Sequence, residues 1–571
     1  MQKLITNLKE RKVLQYALLY TGAVWGIIQV ADFMAEKFDW PVVLVKALTI
    51  AGFVSIPSAF VFFYYRDQPN TRKKQISFYA INLLLIIFLI VYSRPAAKNA
   101  RFTSIEKSIA VLPFENIGSE KDNEYISDGI TQEIISHLSK IEDLQGVTGW
   151  TSARLYKQTS KPILDIGQEL GVASVVTGTI QKEGERLRVY AELTDVNTGK
   201  QIWGGTYNRK WGDVLGLQSE LSKVIAANLN TQLTTDEVRR IESKVTNSTA
   251  AYEDFLKGKN SFNTGQVDQV KYEEMTEMAA IHFLDAIKKD SSFALAWSML
   301  GATYMKMALS FDSLDRFHYY DKALTACIRG FTYGPEISET NMYMGDILKS
   351  VTLNPFSSIP FLRRAIELNP NNGEAHYLLA WLLMEMGDLE KAEASLIKAT
   401  QLNPMIGLYT EAWHGYYFFS RNTDKLRTFT RDHNISSDNA YYKIKMYSYF
   451  LEKRYDSLLV VGEQLHFPQL MGIAYAKLGQ PTKAMVLIDS LKTQSEINWF
   501  GSTTAAVFSN PHADIAVIYA WLDKKEKAMD HLEWAYRLRE RSLLGLRYNP
   551  LFDPLRSEER FKELLRRMGE E

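Results

Sequence analysis

Trp297-Ser298-Met299-Leu300-Gly301-Ala302-Thr303-Tyr304 is the stretch that decides how this chain folds. Leu300, Gly301 and Tyr304 follow Trp297 at offsets of three, four and seven, so the four share one face of a helix. A second copy starts near residue 373, with Leu379, Ala380, Ala392, Ala399 and Pro404 at matching offsets. Asn369-Pro370 recurs as Asn403-Pro404, 34 residues further on. Gly301, Ala380 and Ala392 are small where two antiparallel helices must cross closely, and a larger side chain would push the backbones apart. Proline closes a helix because its ring clashes with the preceding turn and it lacks an N–H. Such a period of helical hairpins predicts a stacked array in which each unit buries its neighbour's apolar face.

The pattern resembles the tetratricopeptide repeat, whose arrays hold other proteins rather than do chemistry. Gly472, Tyr475 and Ala484 fit a third copy, and Ala516, Tyr519, Ala528, Leu532 and Ala535 a fourth. The gaps between copies are not multiples of 34, so degenerate or inserted units are expected, for example around residues 311–320. The array is predicted over 235–571, with 553–567 as a polar-faced capping helix. The first helix of each repeat lines the concave face, so Glu374, Tyr377, Trp381 and Met384 are the candidate partner-binding residues. Aromatic side chains bring large contact area at low entropic cost. The alternative is that Tyr377 and Trp381 pack against the neighbouring repeat.

Composition bounds the rest. The 571 residues exceed what one core supports, which predicts several domains. Lysine plus arginine and aspartate plus glutamate are both 66, so no basic excess argues for nucleic acid. The single cysteine, Cys327, excludes an internal disulfide and a cysteine-rich metal site, and its helical setting predicts a small buried residue. His137, His282, His376, His512 and His531 fall in helical patterns without ligand spacing. Gly204-Gly205 predicts a strand bend rather than a phosphate cradle. With no metalloprotease, nucleophile-elbow, P-loop or dinucleotide motif, neither catalytic residue, metal nor cofactor is expected.

Apolar residues concentrate in the first 93 positions. Runs at 13–34, 41–65 and 76–92 are long enough to predict three transmembrane helices. Lys3, Lys9, Arg11 and Lys12 before the first run, and Arg66, Arg72, Lys73 and Lys74 before the third, predict a cytoplasmic tail at 1–12 and a cytoplasmic second loop. The expected setting is a multi-pass protein of the bacterial inner membrane, its C-terminal domains periplasmic beyond a linker at 94–107.

Residues 108–234 change pattern. Ser108-Ile109-Ala110-Val111-Leu112-Pro113-Phe114 predicts a buried strand ended by proline. A helix follows Asp128-Gly129, and another covers 163–170 with Gly171 as its stop. Strands are predicted at 172–181, 186–195 and 201–207 around turns at Gly184 and Asn197-Thr198-Gly199, then a helix near 215–233. That order predicts a small mixed α/β sheet covered by helices. Ser108 to Phe114, Tyr125-Ile126-Ser127-Asp128-Gly129-Ile130 and Val176-Thr177-Gly178-Thr179-Ile180 resemble the TolB amino-terminal-like domain. The closing phrase Asn549-Pro550-Leu551-Phe552-Asp553-Pro554-Leu555-Arg556 resembles the end of the repeat arrays that follow it. The resemblance implies the sensory half of CadC-type or class III cyclase-associated bacterial signalling proteins. With only 12 residues before the first apolar run, no room is expected there for an effector domain.

The expected function is thus a non-enzymatic, membrane-anchored scaffold that takes proteins or peptides in its groove. Two alternatives stay open: a transducer that couples binding to a separate effector, and an enzyme whose site residues are dispersed.

Overall fold

The computed structural model describes residues 13–38, 55–56, 59, 105–118, 124–265, 272–310, 315–405, 407–432, 438–465, 467–499 and 511–569. The chain divides into two compact units, Met1–Thr103 and Ser104–Glu571.

In the first unit, helix α1 spans Val13–Phe38. Among the described residues no helix is long and apolar enough to cross a membrane. This overturns the three-transmembrane-helix fold class and the multi-pass inner-membrane location, and gives no support to a bilayer contact through three spans. The first run has the length of a span, but Gln15, Thr21 and Gln29 recur along it, and Gly22 and Gly26 dilute its apolar surface. The second run reaches the described residues only at Ser55, Ile56 and Ala59, and the third lies outside them.

The second unit opens with a mixed sheet of β1 (Ile105–Val111), β2 (Glu115–Asn116), β3 (Gly146–Val147), β4 (Val172–Glu183), β5 (Arg186–Asp195) and β6 (Gln201–Lys210). The strand order is β3-β1-β4-β5-β6, with β2 beside β4. β1 pairs in parallel with β3 and β4, whereas β4, β5 and β6 form antiparallel hairpins. The two-residue strands β2 and β3 carry no alternation, so no periodicity announces them. Alternation along β1 sends Ile109 and Val111 to one face, under helices α2 (Glu124–Ser139) and α5 (Val214–Asn228). Ala110 and Leu112 face the other way, with Tyr156, Ile166 and Leu170. Between α2 and β4 lie the short α3 (Trp150–Ala153) and α4 (Ile163–Leu170), which Gly171 closes in the left-handed conformation at φ 68°. After α5, helix α6 (Thr235–Glu242) starts with a capping box between Thr234 and Glu237.

Helical hairpins follow. They are α7 (Thr249–Gly265) with α8 (Tyr272–Lys289), α9 (Ala294–Ser310) with α10 (Asp315–Tyr333), α11 (Ser338–Thr352) with α12 (Ile359–Leu368), and α13 (Gly373–Glu385) with α14 (Leu389–Leu402). The series continues with α15 (Gly407–Phe419) and α16 (Thr423–Asp432), α17 (Asp438–Leu451) and α18 (Tyr455–Leu465), α19 (Pro468–Lys477) and α20 (Pro481–Trp499), and α21 (Pro511–Trp521) and α22 (Lys525–Arg537). Helix α23 (Glu559–Arg567) ends the array, its Arg560 ion-paired with Glu526, Asp530 and Glu533 of α22.

The small residues sit where helices cross. A Cβ on Gly301 would lie 2.5 Å from Cys327 Sγ and 2.9 Å from the Ala323 carbonyl oxygen, so α9 and α10 touch through backbone. Leu300, Ala380, Ala392, Ala399, Ala516, Tyr519 and Ala528 are buried between helices, while Trp297, Tyr304 and Pro404 are half-buried. Trp297 donates its indole N–H to the Ser291 carbonyl at 2.9 Å.

The C-terminal segment folds back onto earlier hairpins. Arg421 forms a two-pronged pair with Asp553 at 2.7 Å for each bond, and the Tyr548 ring fills the space beside Gly387. Gly301→Val should lower stability by about 1–3 kcal/mol, since neither the Ala323 backbone nor the buried thiol can move away cheaply. Urea unfolding followed by circular dichroism checks it, and an unchanged midpoint would contradict the close crossing.

Candidate functional site: a cavity between the sheet module and the repeats

The sheet module sits in the groove of the repeats. Helix α2 turns one face to the sheet and the other to α7, where a Cβ on Gly129 would meet Leu256 at 2.5 Å. Sheet core and first repeats share one apolar cluster, running from Ile109 and Val189 through Ile130 to Tyr252, Phe255 and Phe283.

The two Asn-Pro turns make the polar contacts. Asn371 Nδ2 donates to three carbonyl oxygens of the loop after α2: Leu144 at 2.8 Å, and Ser139 and Ile141 at 3.3 Å each. Asn369 Nδ2 donates to Ser139 Oγ at 2.8 Å. At the next turn, the Gly149 N–H donates to the Leu402 carbonyl at 3.1 Å. Thr151 Oγ1 donates to Asn403 Oδ1 at 3.2 Å. A Cβ on Gly149 would fall 2.2 Å from that same oxygen, so the approach requires glycine. Lys398 reaches the Gln145 carbonyl at 2.8 Å.

Between these contacts the surfaces separate and enclose a cavity of about 620 Å³. One wall comes from α2, the loop after it and α3; the other comes from the first helices of five successive hairpins. Trp150, Tyr343, Tyr377 and Tyr409 give it aromatic surface, and Tyr377 stacks on Tyr409 at 4.7 Å and 18°. Glu133 and Lys259 form an ion pair across it at 3.2 Å. Burial alone would raise the Glu133 carboxyl, but Lys259, His137 and Lys140 outweigh it and hold the group below its ordinary value.

Glu374 is different. Its carboxyl lies deep between the two layers yet is exposed, because it opens onto the cavity. Among the described residues it has no hydrogen-bond or ion-pair partner. Enclosure by protein, and then the negative charges of Asp346 and Glu339, push its pKa up to about 7 against the pull of Lys306. Lys306 lies over the Phe262 ring and is itself drawn down to about 7, mainly by burial. Lys306 feels both Glu374 and, from the sheet side, Arg154. Among the described residues Arg154 makes one hydrogen bond, from Nη1 to the Asn263 carbonyl at 3.3 Å.

Of the four residues expected on the concave face, Glu374 and Tyr377 line the cavity. Trp381 packs on Gly415, where a Cβ would lie 2.7 Å from its ring, and Met384 is fully buried in the repeat core. Sequence reasoning missed Arg154, Trp150, Asn371 and Asn403. The Asn-Pro recurrence marked the two asparagine turns, but only as helix stops. Cys327 is buried against Gly301, and burial pushes its thiol upward. Among the described residues no group of three or more histidine, cysteine or acidic side chains is placed to hold a metal.

The tetratricopeptide repeat family matches residues 357–406, which span α12 to the turn after α14. Over 137 residues the chain is 36% identical to a protein of Rhizobium meliloti (strain 1021) named "Putative adenylate cyclase 3". That stretch is 24% of this chain and spans only 23% of the relative's length. Among solved structures, YrrB, described as a TPR protein with an unusual peptide-binding site, is 20% identical; the match covers 37% of this chain and all of YrrB, with a TM-score of 0.24. A tetratricopeptide repeat protein from Parabacteroides merdae ATCC 43184 is 13% identical, covering 55% of this chain and 99% of its own, with a TM-score of 0.28. At such TM-scores the superpositions add nothing to the repeat geometry described above.

Two outcomes follow from this interface. Asn371→Ala leaves up to three loop carbonyls without a donor and should cost about 1–3 kcal/mol. Hydrogen exchange should rise at 139–149 and stay unchanged in α21 and α22; unchanged protection at 139–149 would contradict the docking role. Glu374 binds its proton more tightly folded than unfolded, so its ionisation opposes folding as pH rises from about 4.5 towards 7. Glu374→Gln should therefore gain stability relative to the parent chain across that window. Urea midpoints at pH 5, 6 and 7 check it, and a constant difference would contradict the raised pKa.

Proposed function

We propose that this chain is a non-catalytic interaction module whose repeat array holds its own sheet module as a resident ligand. In this reading residues 108–234 are the held part and 235–571 the holder. One observation carries it: Asn371 clamps three backbone carbonyls of the sheet module from within the groove where repeats of this family take partners. The tetratricopeptide match supports protein–protein interaction as the general role. Opening the clamp would free the first-helix faces around Tyr377 and Tyr409 for another protein.

The partial likeness to a protein named as an adenylate cyclase favours a narrower version, in which the module regulates an effector activity carried on another polypeptide. The resemblance of 108–234 to the TolB amino-terminal-like domain of signalling proteins supports the same setting.

A photo-crosslinking residue at position 377 tests the proposal in the full chain, in parent form and as Asn369→Ala/Asn371→Ala. The parent should crosslink chiefly to its own sheet module, and the opened variant should gain a crosslinked protein partner. No gain, with the variant folded by circular dichroism, would sink the resident-ligand reading. The purified chain should form no cyclic nucleotide from ATP, and turnover by the chain alone would overturn the non-catalytic assignment.

A further inference from the structure

We infer that the interface cavity is a binding site for a small zwitterion, an α-amino acid or short peptide with an apolar side chain, which sits between the sheet module and the repeats. The inference rests on the resident-ligand reading, because the site exists only while the sheet module is docked.

Four features define the ligand. The cavity, at about 620 Å³, falls in the range of small-molecule sites and leaves space for a dipeptide. The Glu374 carboxyl opens into it with no hydrogen-bond or ion-pair partner among the described residues, although Glu339 and Asp346 add negative potential around it. A carboxylate enclosed in this way calls for a donor with positive charge, and the half-buried Tyr377 ring on the same wall offers aromatic surface that ammonium groups favour. On the facing wall Arg154 spends one guanidinium N–H on the Asn263 carbonyl among the described residues, and the Asp128 carboxylate that acts on it is held by Lys157 at 2.8 Å, so the rest of its planar fork suits a ligand carboxylate.

Glu374 and Arg154 line the same cavity from its two walls, as the two ends of one short molecule would need. Glu133 and Lys259 neutralise each other at 3.2 Å and bias neither end. Trp150 and Met299 line the cavity with apolar surface that can receive an apolar side chain.

Isothermal titration of the full chain with L-phenylalanine and with the dipeptide Leu-Phe tests the assignment, alongside their N-acetylated and C-amidated forms. At least one zwitterion should bind, and blocking either terminus should weaken it about tenfold or more, as should Glu374→Gln or Arg154→Met. Arg154→Lys should restore part of the loss. Circular dichroism and hydrogen exchange at 139–149 establish that each variant keeps the docked fold. If the docked chain binds neither zwitterion, or binds blocked and free forms equally, the inference is overturned while the resident-ligand reading stands. If 139–149 shows no protection in the parent chain, that reading fails first.

Discussion

Beyond its first turn helix α2 is enclosed on both sides, and the rest of the second unit is arranged around that constraint. Ile126, Ile130 and Ile134 belong to the core shared with the sheet, while Gly129 lets α7 press against its other side. A helix enclosed on both sides must partner every polar group it carries or accept a large desolvation cost. Thr131 Oγ1 accepts the Phe114 N–H at 3.1 Å, Gln132 accepts from Asn263 at 3.4 Å, Glu133 takes Lys259, and Ser136 donates to Glu339 at 3.2 Å. His137 shows the cost directly: burial pulls its pKa down to about 3, so the ring stays neutral. Gln132, Glu133 and Ser136 thereby join the sheet module to the repeats, while Thr131 holds α2 to the segment after β1.

Continuity of the core follows from the same constraint. Tyr252 and Phe255 of α7 belong to the cluster that covers β5, and Tyr252 receives a hydrogen bond from Gln218 of α5 at 2.8 Å. Removing either part would expose apolar surface of the other, so the sheet module and first repeats are expected to unfold together. The C-terminal segment closes the opposite side, where Arg421 grips Asp553 and Gly387 makes room for Tyr548.

Much of the fold was legible because its signals are local. The turns at Gly184 and Asn197-Thr198-Gly199 marked the hairpins of β4, β5 and β6, and Gly171 marked the end of α4 through its left-handed backbone. The helical face around Trp297 and the spacing of small residues identified the repeats. The first apolar run misled, because length was weighed above composition: the glutamines, threonine and glycines of α1 lower its apolarity at a length that would suffice for a span. The docking was illegible for a different reason. Asn371 and Asn403 follow or occupy a recurrent turn whose sequence is satisfied by helix termination alone, and nothing local reveals that their side chains reach across more than 200 residues of sequence.

That long reach also explains why the chemistry gathers where it does. Beyond the shared core, surfaces that touch through protruding turns meet at the turns and fail to meet behind them. The cavity behind Asn371 and Asn403 is the space so left, and residues that face it escape the rule that buried polar groups must be paired. Glu374 occupies that position: within a close-packed core it would have been replaced or matched with a cation, whereas at the cavity wall it keeps its carboxyl open. Its raised pKa is the electrostatic trace of the same geometry, with protein around the group, acidic neighbours beside it and no hydrogen-bond donor provided by the described chain. A docking surface built from turns thus produces a polar site as a by-product, and a ligand that satisfied Glu374 and Arg154 together would bridge the two surfaces the turns hold apart.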